Sequence, residues 1–79
     1  MDSPLKTWRE SLKITQPQLA DAADVSQGHI SKAENGHVEL GEKLTAFLVK
    51  VGASKVIEDH KVYMEEVKGK LEEIIKEAS

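Results

Sequence analysis

Residues 16–36 read QPQLADAADVSQGHISKAENG, and their spacing predicts two short helices joined by a tight turn. Thr15 followed three residues later by Gln18 forms a capping box, in which each side chain reaches a backbone N–H that a helix start leaves without a partner. Leu19, Ala20 and Ala23 make the apolar side of this helix, which should stop near Ala23. Ser26 reads as the cap of the next helix, which turns Ile30 and Ala33 inward. Asn35-Gly36 ends it, because both residues tolerate a left-handed backbone. Leu19, Val25 and Ile30 are spaced to close a small core, and Ala20 sits where the two helices must approach closely.

Working outward, Ser3 and Pro4 read as a cap and a first helical residue whose missing N–H costs nothing. Leu5, Trp8 and Leu12 then share one face of a first helix running to about Lys13, with Trp8 as a core anchor. Downstream, Leu40, Leu44, Phe47, Leu48 and Val51 predict a fourth helix closed by Gly52, and Ser54 caps a fifth that runs to about Ala78. No alternating run of β-branched and aromatic residues stands between turn residues. The expected fold is all-α, five helices with a helix-turn-helix at the centre. Residues 1–54 read as the globular domain and 55–79 as an extended amphipathic helix.

A chain of 79 residues has little core, and stability in so small a domain usually draws on disulfides, metals or oligomerisation. Cysteine is absent, which leaves oligomerisation open. Met1 is followed by Asp2 and Pro4 rather than an apolar run, and no apolar run is long enough to span a bilayer, so a soluble cytoplasmic protein is expected. Net charge is −3, distributed as −1 over residues 1–36, +1 over 37–55 and −3 over 56–79. The acidity sits in the C-terminal helix, so the rest can present a locally positive face to a nucleic acid.

The stretch from Gln16 to Gly36 resembles the Cro and lambda-repressor-like (XRE-type) regulators of bacteria and phage. Its pattern is matched by Gln16, Leu19-Ala20, Val25-Ser26, Ile30-Ser31 and Glu34-Asn35-Gly36, with Asp24 where the family prefers Gly at the turn. Asp adopts the left-handed conformation more readily than most residues. The resemblance implies that the N-terminus of the third helix enters the major groove, with Gln27, Gly28, His29 and Lys32 toward DNA. Gln there suits adenine, and Lys suits guanine or phosphate. It implies that Gln16 anchors phosphate and base from the start of helix two, that Asn35 and Lys43 clamp phosphates, and that Arg9 pairs with Glu34 to fix the reading helix.

In the fifth helix, Ile57, His60, Met64, Val67, Leu71, Ile74 and Ala78 follow alternating steps of three and four, the seam of a coiled coil over three heptads. His60 suits a seam poorly, and Gly69 weakens the helix by roughly 1 kcal/mol relative to Ala. The first turns should pack on their own domain. Beyond Met64 little apolar surface remains to receive the helix, so Ile57, Met64, Val67, Leu71, Ile74 and Ala78 are read as a homodimer seam. Parallel and antiparallel pairing both stay open.

The function expected from this reading is sequence-specific binding of an inverted-repeat operator in double-stranded DNA by a homodimeric transcriptional regulator, first of all a repressor. Two alternatives stand beside it: an antitoxin-type protein whose last helix grips a partner protein, and a helix-turn-helix used only for protein binding. No enzyme, cofactor or metal site is expected, since His29, His37 and His60 lie on separate segments without ligand spacing and no phosphate loop or nucleophile motif is present.

Overall fold

A computed structural model describes residues 3–78, so the sequence readings at Met1, Asp2 and Ser79 lie outside it. Its helices are α1 (Pro4–Ser11), α2 (Gln16–Ala23), α3 (Gln27–Glu34), α4 (Glu42–Lys50) and α5 (Ser54–Ala78), and no strand occurs among the described residues. Ser3 Oγ caps α1 by accepting from Lys6 N at 3.1 Å. The capping box at α2 forms in both directions, Gln18 N to Thr15 Oγ1 at 3.2 Å and Thr15 N to Gln18 Oε1 at 2.9 Å.

Helix α1 stops at Ser11, short of the expected Lys13, because Lys13 itself turns left-handed at φ 58°. This reverses the expectation for Leu12. Once the helix ends, position 12 no longer shares the face of Leu5 and Trp8, and Leu12 is 54% exposed. Ile14 packs against the core beyond the turn. Asp24 holds the α2–α3 turn in the left-handed region, at φ 58° and ψ 46°. After α3 only Gly36 is left-handed (φ 74°), while Asn35 keeps φ −92°. Leu40 is buried ahead of α4 rather than within it, since Gly41 at φ 82° breaks the backbone between them, and Val51 is half exposed just past its end.

Leu5, Leu19, Ile30, Leu44 and Leu48 are fully buried and form the centre, one or two from each of the first four helices. The first half of α5 lies over them. Val56 and His60 are buried, and Ile57, Tyr63, Met64 and Val67 are half-buried. The helix stays on its domain as far as Val67, one turn further than the sequence suggested. Gly36 explains the extra turn, because a Cβ there would lie 3.0 Å from Val67 Cγ2 and 3.1 Å from Tyr63 Cε2. Past that point Leu71, Ile74 and Ile75 are exposed. A helix of this length measures about 37 Å at 1.5 Å per residue, and it sets the long dimension of a molecule 43 × 23 × 22 Å.

His60 belongs to the core rather than to a seam. Its Nε2 lies 3.4 Å from the Val38 carbonyl, and its buried Nδ1 has no protein partner. Burial holds the imidazole pKa below its ordinary 6.5, against smaller opposing effects of the Val38 carbonyl and Glu39. The unfolded chain therefore takes up this proton first as the pH falls. The contribution of neutral His60 is complete above 6.5 and declines below it until the folded ring also protonates. Urea titrations between pH 8 and pH 5 should show His60→Leu losing part of the wild-type loss of stability on acidification. Equal slopes in the two proteins would place the pH dependence elsewhere.

Candidate nucleic-acid interface

The site is built around one carboxylate. Glu34, the last residue of α3, is 6% exposed. Arg9 of α1 grips it as a fork, Nε donating to Oε2 at 2.6 Å and an Nη donating to Oε1 at 3.1 Å. The other Nη of Arg9 donates to the Ile14 carbonyl at 2.9 Å, which ties down the turn between α1 and α2. Gln16, at the first position of α2, donates through Nε2 to the same Oε1 at 3.0 Å. From α5, Tyr63 OH donates to the Glu34 backbone carbonyl at 3.2 Å. The hydrogen bonds to Glu34 raise the Arg9 pKa above its already high value while burial opposes them, so the guanidinium stays charged.

The network fixes the far end of α3 and leaves its start free. Ser26 Oγ accepts from His29 N at 3.0 Å, so the side-chain cap is local. Gln27, Gly28 and Lys32 are exposed. Nothing approaches a Cβ placed on Gly28 except Ser26 Oγ at 3.9 Å, so backbone can come close to a large partner there. The N–H groups of a helix start and its positive end favour an anionic ligand.

His29 departs from the freely exposed side chain that the sequence suggested. It is half-buried, and its Nε2 donates to the Leu40 carbonyl at 2.6 Å. That bond requires the hydrogen on Nε2, which leaves Nδ1 as an acceptor in the neutral ring. His29 thus props the α3–α4 loop, where a Cβ on Gly41 would lie 3.3 Å from Nε2. Lys43 Nζ pairs with Asp24 Oδ2 at 3.1 Å, both side chains largely exposed. Such a pair contributes about 0–1 kcal/mol, so Lys43 is readily released to a phosphate, and Asp24 is screened meanwhile. Asn35 Nδ2 donates back to the Ser31 carbonyl at 2.9 Å.

Of the residues singled out in the sequence, the structure brings Arg9, Glu34 and Gln16 into one cluster and leaves Gln27, Gly28 and Lys32 on open surface. The roles of Tyr63 and the Leu40 carbonyl carried no signal in the sequence, since both depend on how distant segments meet. Removing one partner of a buried ion pair costs about 3–5 kcal/mol. Arg9→Ala should therefore lower the melting temperature markedly, and in a double-mutant cycle with Glu34→Gln the two losses should fall well short of adding. Additive losses would make Arg9 and Glu34 energetically independent.

A helix-turn-helix family model matches residues 5–44, which runs from the second residue of α1 to the third residue of α4 and takes in 40 of the 79 residues. No curated protein and no solved structure matches the chain. Among the described residues no helix is long and apolar enough to cross a membrane. The matched span holds the left-handed turn at Asp24, the Ser26 cap and the Arg9–Glu34 fork. The chain belongs to the Cro and lambda-repressor-like (XRE-type) helix-turn-helix family of DNA-binding regulators.

Proposed function

We propose that this chain is a sequence-specific transcriptional repressor of the bacterial or phage cytoplasm that binds an inverted-repeat operator as a homodimer. The observation that carries the reading is the exposed, Ser26-capped start of α3, held from behind by the Glu34 network. In the major groove Gln27 offers the paired donor and acceptor that adenine matches, and Lys32 serves guanine or phosphate. Gly28 admits the sugar-phosphate backbone. His29 contributes its Nδ1 acceptor while Nε2 stays on Leu40. Gln16, its amide aimed by Glu34, anchors a phosphate at the start of α2, and Asn35 and Lys43 hold the flanking phosphates.

Residues 1–54 serve DNA and residues 55–79 serve self-association in this proposal. The functional division does not follow a structural boundary, because Val56 and His60 complete the core of the domain. Leu71, Ile74 and Ala78 form the free part of the seam, with Met64 and Val67 at its edge and Ile57 turned to the core. Dimers of this motif set their reading helices about 34 Å apart, one turn of DNA.

Selection of duplexes from a random pool with full-length protein should yield an inverted repeat with half-sites about one turn apart. Gln27→Ala should then lose about 1–3 kcal/mol of discrimination at one base position per half-site while keeping wild-type stability. A chain ending at Gly69 should keep its fold and weak, salt-sensitive binding but lose much of its specific affinity. Failure of the full chain to bind any duplex in a salt-dependent way would overturn the proposal.

A further inference from the structure

We infer that two copies of this chain pair through antiparallel α5 helices, Leu71 of each lying over the partner's Ile74. The inference rests on the self-association proposed above and fixes its direction and register. The first observation is steric. The stripe from Ile57 to Ala78 is a single face of α5, and its N-terminal part lies against the chain's own domain as far as Val67, which is only half-buried there. A parallel partner laid in register on that stripe would have to pass through the domain. An antiparallel partner needs only the uncovered end.

The overlap then runs from Val67 to Ala78, 12 residues in each chain. Val67 faces the partner's Ala78 and Leu71 faces the partner's Ile74, each twice by symmetry. The groove formed by Gly36, His37, Met64, Val67, Leu71 and Ile74 receives the small end of the partner helix at Ala78.

Charge selects the register. In antiparallel coiled coils the residues just before the first seam position of each heptad face one another across the dimer, and here these are Lys70 and Glu77. With Leu71 over the partner's Ile74, Lys70 meets the partner's Glu77 on both sides. A slide of one heptad inward sets Lys70 against the partner's Lys70 and requires His60, which is 3% exposed, to leave the core. A slide outward sets Glu77 against the partner's Glu77 and keeps only the contacts between Ile74 and Ala78. Under two heptads of overlap makes a weak dimer, strengthened when both domains share one DNA. Along the paired helices the two His60 positions lie about 37 Å apart at 1.5 Å per residue, close to the turn of DNA that two reading helices need.

The chain has no cysteine, so disulfides can report the geometry directly. Full-length Val67→Cys and Ala78→Cys proteins, mixed in a glutathione redox buffer, should give the mixed disulfide as the main product, above the half that random pairing yields. Each variant alone should stay uncrosslinked, since like positions are about 16 Å apart along the axis. Ready self-crosslinking of Ala78→Cys would mean parallel helices and overturn the inference while leaving self-association standing. A chain that sediments as a monomer at every concentration and on its operator would overturn both. Lys70→Glu and Glu77→Lys should each weaken the sedimenting dimer and together restore it; a double variant no better than the singles would overturn the register.

Discussion

The carboxylate of Glu34 is held by Arg9 from α1 and Gln16 from α2, and the carbonyl of the same residue is held by Tyr63 from α5. Four helices therefore meet at the end of α3. A helix of eight residues is too short to be stable or to hold its angle alone. Buried Ile30 and Ala33 press it onto the core, but apolar packing alone permits small rotations. A forked, charge-assisted contact does not, because both carboxylate oxygens and the planar guanidinium must keep their geometry. The cost is a buried ion pair that contributes little net stability and much when half of it is lost. What it supplies is orientation of the exposed start of α3, one helix length away.

The rigid end and the open end of α3 explain each other. Ser26, Gln27 and Gly28 are exposed because the contacts that fix the helix are gathered at Glu34. His29 extends the support by holding the Leu40 carbonyl, so the loop into α4 keeps its place beside the exposed start of α3. Gly36 then lets α5 cross close above the helix end, and Tyr63 and Val67 fill the space that its missing side chain leaves. The proposed DNA-binding and self-association surfaces thus share a junction of a few residues.

The order of the helices and the ends of α2 and α3 were legible in the sequence because their signals are local: the Thr15–Gln18 box, the Ser26 cap and the Asp24 turn. Leu12 was misread because an apolar period was carried past a helix end for which Lys13 gives no sign. His29 looked exposed because its partner is a backbone carbonyl eleven residues away, set by the path of a loop. His60 fell on a heptad step and so looked like a seam residue, but the domain covers that turn of α5. Periodicity gives the apolar face of a helix and leaves open which neighbour covers it. Tyr63 could not have been paired with Glu34, since no motif links positions 29 residues apart.

The central claim is that the Ser26-capped end of α3, held from behind by Glu34, is the surface that meets DNA. Backbone amide shifts of the labelled full-length protein, followed as a selected operator duplex is added, test it most directly. The account predicts the largest changes at Gln27, Gly28, His29 and Lys32, a second group at Gln16, and little change in the buried residues of α1. Changes confined to α5, or spread over the face of α1 around Leu12 with α3 unmoved, would contradict it.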